Sequence, residues 1–292
     1  MELGEFIKEI RIQKGISQAN ACFNATSQSN YSKFELGKIE ISANSLFTII
    51  NNLDLGLEEF FLLYEVEFKD EVNDLITNFF RLPSNQPNEL KELRNKALLF
   101  QKKLKNDNPT LQNIIQLSYG LEIIALKEEY EDAISIALPI WEKLSKRDRW
   151  YIREISLLNN ILYIFPFETA EEIVKRSVKT LETYRETDYI TSLKLSFLIN
   201  ISLLFIKNND FKKAKKYLYL SIQKSNNLSI ILQKKIAQMR LAYCMASLDE
   251  PFEDELISII MYFASTDSLP IYEQLKKEAE KYCTNPDFLN TL

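Results

Sequence analysis

The chain contains no histidine in 292 residues, and that absence removes whole classes of chemistry. Serine–histidine and cysteine–histidine nucleophiles cannot be assembled, and most catalytic zinc sites lose their usual ligand. Glycine is scarce as well: Gly4, Gly15, Gly37, Gly56 and Gly120 are too scattered to form a phosphate-cradling loop. The three cysteines, Cys22, Cys244 and Cys283, are odd in number and show no CxxC spacing. They read as ordinary buried thiols, without a structural disulfide or a metal site. No uninterrupted apolar run approaches the roughly 20 residues of a membrane span. The opening MELGEFIKEI carries acids and no secretion-signal core, which points to the cytoplasm without a membrane. No acidic pair stands out from surface charge. An enzyme is therefore not expected, and no catalytic residue, cofactor or metal ligand is assigned.

What remains is helical. With 46% hydrophobic residues, 5 glycines and 8 prolines, apolar positions recur at helical spacing almost throughout, and the length suits two domains. The expected fold class is all-α. From Ile16 to Gly37 two short helices are separated by a tight turn. Ser17 can cap the first, running from Gln18 to about Asn24, and Ser27 the second, from Gln28 to Leu36. Gly37 stands where a helix ends and positive φ is common. Tyr31 and Phe34, three apart, share an inward face and leave Gln28, Ser29, Ser32 and Lys33 pointing out. A short helix with amide, hydroxyl and ammonium groups outward, docked on another, suits the DNA major groove as a helix-turn-helix. Leu3, Phe6, Ile7 and Ile10 predict an amphipathic helix before it. Leu46, Ile49, Ile50 and Leu53, capped by Ser42, and then Leu57, Phe60, Phe61 and Tyr64 predict two after it.

These stretches resemble the lambda-repressor-like (XRE-type) DNA-binding domains, through Ser17–Gln18 and the SxFExG run Ser32–Gly37. The resemblance implies an ion pair of Arg11 with Glu35, base-reading roles for Gln28, Ser29 and Lys33, and phosphate contacts for Gln18 and Lys38. The pattern departs at Asn24–Ala25, where a glycine-bearing turn is usual, and at Leu36, where a polar residue is common. The charge runs against expectation: up to Glu65, five bases against nine acids leave −4. A DNA-reading unit normally shows a basic face, so useful affinity is expected only from a dimer on adjacent half-sites.

A helical pattern continues from Val66 through Val72, Leu75, Ile76, Phe79 and Phe80, and ends at the proline-containing loop Leu82–Asn88. The expected organisation is a helix-turn-helix domain over 1–65, a linker helix and loop over 66–88, and a repeat domain over 89–292. In the last, an aromatic residue followed three positions later by Ala or Glu recurs as Tyr130/Ala133, Phe167/Ala170, Phe211/Ala214 and Phe252/Glu255, at intervals of 37, 44 and 41. Each opens the second helix of an expected antiparallel pair. Such spacing looks like degenerate tetratricopeptide repeats, a right-handed stack of helix pairs, closed by a helix from about Ile271 to Cys283. The first helices carry polar residues within apolar runs: Asn113, Gln116, Arg153, Asn159, Asn160, Asn200, Gln238 and Arg240. Either they pair with one another and with nearby backbone, or they grip an extended peptide, since an asparagine can donate and accept at once.

The order of parts resembles the Rgg family of peptide-sensing regulators, within the wider Rgg, Rap, NprR, PlcR and PrgX group. The resemblance rests on SQSNYSKFELGKIEIS with the following LEEF, on RWYIREISLLNN and on NISLLFIKNNDF. It implies a homodimeric regulator of promoter DNA switched by a short peptide, with Asn160 and Asn200 on the peptide and Arg153 as an anchor. Gln238 belongs to the same expected groove. Ala43 and Asn44 follow the EIS triplet, so the inter-subunit cysteine bridge of some members is not expected. The rival readings are a protein-binding repeat scaffold and a DNA-binding regulator whose C-terminal domain only dimerises.

Overall fold

The structure is a computed structural model that describes residues 2–82, 85–127, 130–224, 230–266 and 268–291, without the side chains of 130 and 253–255. Pro83 and Ser84 of the expected loop, and the Tyr130 and Glu255 side chains of the repeat, thus lie outside the described residues. Every regular element among those described is helical, and the chain divides into two compact units, Met1–Asp74 and Leu75–Leu292.

The first unit holds α1 (Leu3–Gln13), α2 (Gln18–Ala21), α3 (Gln28–Glu35), α4 (Ala43–Asn52) and α5 (Leu57–Glu67). Each of three starts is fixed by a serine accepting from a backbone amide: Ser17 from Asn20, Ser27 from Asn30 and Ser42 from Ser45. Phe6, Ile7, Ile10, Tyr31, Phe34, Ile49, Ile50, Leu53 and Phe60 form the core. Two expectations are corrected. First, α2 ends at Ala21 rather than near Asn24, because Asn24 takes φ 57°, which no helix accommodates. Second, α5 turns Phe60 and Tyr64 inward and leaves Leu57 and Phe61 exposed, since the stripe is continued by Phe68 instead. The Phe68 ring packs 5.6 Å from Phe6 and 4.5 Å from Tyr64, which carries the unit past residue 65.

The helix expected to run on from Val66 is interrupted. It stops at Glu67, and α6 (Glu71–Phe80) restarts where the Asp70 carboxylate accepts from the Val72 and Asn73 amides. There follow α7 (Pro87–Lys103), α8 (Pro109–Lys127), α9 (Tyr130–Leu144), α10 (Ile152–Asn160) with a 3-10 turn at Leu162–Ile164, and α11 (Phe167–Leu181). Then come α12 (Asp188–Lys207), α13 (Phe211–Lys224), α14 (Ile231–Ala246), α15 (Glu253–Ala264), α16 (Leu269–Tyr282) and α17 (Pro286–Asn290). From α7 to α9 and from α10 to α16 each helix packs on the next, and α10, α12, α14 and α16 also pack in order on one another, as stacked helix pairs do. The small residues of the repeat sit in the tightest places: Ala133, Ala170 and Ala214 are fully buried. Phe211 is buried beside them. Phe252 instead meets Phe288 of α17 at 5.1 Å. This last helix was not expected, although Asn285 caps it and Pro286 opens it.

By length and composition α12 could cross a membrane, although Lys194, Ser196 and Asn200 interrupt its apolar run, and 61% of its most apolar window is buried in the protein. Leu195, Phe197, Ile201 and Phe205 are core residues, and Lys194 donates to Glu186 at 2.9 Å. Between α9 and α11, Trp141 lies 4.7 Å from Phe165 and 6.4 Å from Trp150. The Trp150 indole N–H donates to the Leu144 carbonyl, and the Arg176 guanidinium sits 3.8 Å above its ring.

Candidate nucleic-acid interface and groove

The outward side of α3 is presented by a helix anchored through its buried face. Tyr31 and Phe34 are buried beneath it, while Gln28, Ser29 and Lys33 are exposed and Ser32 half-buried. At its end Gly37 adopts φ 67° and Lys38 is exposed. The carboxylate of Glu35 points inward. It accepts from Arg11 Nε at 2.5 Å, Arg11 Nη2 at 3.0 Å and Gln18 Nε2 at 2.7 Å, so one acid ties α1, α2 and α3 together. Burial works against its charge, yet the Arg11 and Gln18 hydrogen bonds outweigh it and hold its pKa below the ordinary carboxylate value. Beside it, burial and the Glu35 charge push the Tyr31 phenol well up. Gln18 therefore has its amide N–H on Glu35 in this structure.

Two residues that sequence reading passed over hold the turn. The Asn52 amide donates to the Ala21 and Phe23 carbonyls at 3.0 and 2.8 Å, and Ser45 Oγ donates to Ala25 O at 3.0 Å. They restrain Asn24–Ala25 where a glycine is usual. Gly4 matters for another reason: an added Cβ would stand 1.8 Å from the Phe34 carbonyl oxygen, so α1 rests directly on the backbone of the reading helix. Lys14, one of the five bases before Glu65, donates to the Asp54 carbonyl at 2.7 Å.

In the second unit the polar residues of the stack are largely paired with one another. Asn200 Nδ2 donates to Asn159 Oδ1 at 3.1 Å, whereas the Asn160 amide folds back on Ser156 O at 2.9 Å. The structure thus brings Asn200 to Asn159, not to its neighbour. Arg240 is buried and bonded within the stack: its guanidinium donates to both Glu278 oxygens, at 2.7 and 2.8 Å, and to Ile199 O at 3.0 Å. Tyr243 bonds the same carboxylate. Arg153 is exposed and Gln238 half-buried. Along α12, Tyr189, Ser192, Ser196 and Asn200 make a stripe at helical spacing that sequence reading did not see as one. Tyr189 pairs with Ser156 of α10 at 2.9 Å, and Gln233 of α14 donates to Ser192 Oγ and Ser196 Oγ, each at 2.9 Å. No group of three His, Cys, Asp or Glu residues that could hold a metal occurs among the described residues.

The two parts match known proteins separately. Residues 7–60 match the helix-turn-helix family model. A reading helix locked on a second short helix, ahead of stacked helix pairs, defines a helix-turn-helix regulator. Residues 96–245, just over half of the chain, match "HTH-type transcriptional regulator Rgg, C-terminal domain", and the chain belongs to the Rgg family of transcriptional regulators. The family is one of regulators, not enzymes. Among solved structures, a candidate transcriptional regulator from Listeria monocytogenes EGD-e is 20% identical, with 95% of this chain and 97% of that one covered and a TM-score of 0.73. PlcR of Bacillus thuringiensis, solved with the peptide PapR7 and DNA, is 20% identical over 94% and 98%, with a TM-score of 0.69. The SHP pheromone receptor Rgg2 of Streptococcus dysgalactiae is 17% identical over 96% and 100%, with a TM-score of 0.65. At such identities the likeness is one of fold.

Proposed function

We propose that this regulator is a cytoplasmic homodimer that binds double-stranded promoter DNA and is switched by a short peptide. Residues 1–65 read the DNA, 66–88 connect, and 89–292 sense the peptide and dimerise. Gln28, Ser29, Ser32 and Lys33 face the bases, and Gln18 and Lys38 face phosphates. The observation that carries this reading is the pairing of an exposed polar side on α3 with the inward Glu35–Arg11 clamp. Such a helix reaches a groove without rearranging. Two copies are needed because −4 over the first 65 residues gives one copy little non-specific attraction. In a gel shift of the upstream region, wild type binds and Gln28→Ala/Lys33→Ala does not. An absence of wild-type binding would leave the protein-binding scaffold, which the acidic balance favours.

The peptide belongs along α10, α12 and α14, held by Asn160, Asn200, Gln238 and Arg153. PlcR with PapR7 gives the precedent in this fold. Asn200 gives one amide hydrogen to Asn159 and keeps its other N–H and its carbonyl oxygen for a peptide group, so a bound peptide favours the arrangement of the wall in which that pair is held. Calorimetry with candidate peptides loses heat on Asn200→Ala and Asn160→Ala. Equal affinity in both variants rejects the assignment.

A further inference from the structure

Arg81, the residue after α6, has no carboxylate partner among the described residues. Its guanidinium lies 5.3 Å from the centroid of the Tyr189 ring. The other end of the same side chain is engaged elsewhere: the Tyr189 hydroxyl is 2.9 Å from Ser156 Oγ on α10. The direction of that bond follows from the proton count. A serine has one hydroxyl proton, and Ser156 donates its own to Ile152 O at 2.8 Å, so Tyr189 is the donor. Tyr189 is also the first residue of the polar stripe that continues through Ser192, Ser196 and Asn200. One side chain therefore touches α10 with its tip and Arg81, just past α6, with its face.

The boundary between the two compact units falls inside α6, after Asp74. That helix is the covalent route from the stack to the reading unit. We propose that Tyr189 is a positioning residue, through which occupancy of the groove wall is felt at Arg81 and the end of α6. A ligand carbonyl that takes the Tyr189 proton from Ser156 draws the ring away, and Arg81 loses its seat. The use of this contact rests on the peptide-switch reading above, but its existence is tested without peptide or DNA.

The test is amide hydrogen exchange on the full chain, read over residues 76–82. Ser156→Ala, Tyr189→Phe and Arg81→Gln each raise exchange there about two- to fivefold, the worth of one exposed cation–π contact or hydrogen bond. Exchange over 28–35 and 211–224 stays at the wild-type rate. Combining Ser156→Ala with Arg81→Gln adds nothing to Arg81→Gln alone, because the route is already cut. Wild-type exchange over 76–82 in Ser156→Ala and Tyr189→Phe overturns the proposal, as does an additive double variant or an equal rise in 211–224. Loss of DNA or peptide binding by the variants of the preceding section bears on that reading and not on this one.

Discussion

Each unit contains an arginine–glutamate clamp of the same design, and the two do opposite things to the surface above them. In the first unit Arg11 grips both oxygens of Glu35 and sends Nη1 to the Ile16 carbonyl at 2.9 Å. In the second, Arg240 grips both oxygens of Glu278 and sends Nη1 to Ile199 O. The first clamp lies under α3 and leaves its outer polar side chains to solvent. The second is one part of a wall in which Asn159, Asn200, Gln233 and Tyr189 are bonded across helices, while the Asn160 amide folds back on its own. Polar side chains left to solvent and polar side chains bonded to one another are different ways to build a surface. On the proposed function, the first suits fixed recognition and the second suits switching.

The comparison breaks most sharply on the glutamates. Glu278→Ala strands a buried guanidinium and costs about 3–5 kcal/mol. Glu35→Ala costs about as much, but only in the first unit. Denaturation followed by far-UV circular dichroism, with amide exchange to locate the loss, separates them: the first variant opens α12, α14 and α16, the second α1 to α3. Next comes Gly4→Ala, in which the new methyl meets the Phe34 carbonyl. It destabilises the first unit by about 3 kcal/mol and weakens DNA binding, measured by thermal melting and gel shift. Gly120 is its counterpart in the stack. Its nearest neighbour is the Ala133 Cα at 3.6 Å, so Gly120→Ala fits and stabilises by up to about 1 kcal/mol through helix propensity.

The smallest effect is that of pH near neutrality. With no histidine, little titrates between pH 5.5 and 8 by the ordinary scale of about 6.5 for that residue. Below it, Glu35 acts. Its folded pKa is depressed, so its contribution is complete above the unfolded value of 4.5 and is lost as pH falls through the folded value. Glu35→Gln lowers stability at pH 7 and flattens the acid limb of the first unit's exchange profile. An unchanged acid limb would assign the loss to other carboxylates.

Much of this was legible in residue spacing. The serine caps, the inward Tyr31 and Phe34 and the aromatic–alanine beat are local patterns, and local patterns survive in a sequence. Arg11 with Glu35 was legible by resemblance. Arg240 with Glu278 was not, because 38 residues separate them and a glutamate on α16 looks like any surface acid. Asn160 is named by resemblance, and it is Asn159 that meets Asn200. Adjacent asparagines cannot be told apart until the helix phase fixes which one faces α12. The break at Phe68–Asp70 escaped notice since apolar spacing resumes in phase beyond it, although Asp70 is a fair capping residue. Gly4 was read merely as one of five scattered glycines. Its meaning lies in a neighbour far along the chain.

The tryptophan pair of the stack has a practical consequence. Trp141 and Trp150 are the chain's two indoles, both lie in the second unit, and Trp150 has a guanidinium on its face. Fluorescence excited at the red edge is therefore blind to the DNA-reading end. Any emission change on adding an oligonucleotide would be news relayed from the far unit, so the unlabelled protein carries its own one-sided reporter of coupling.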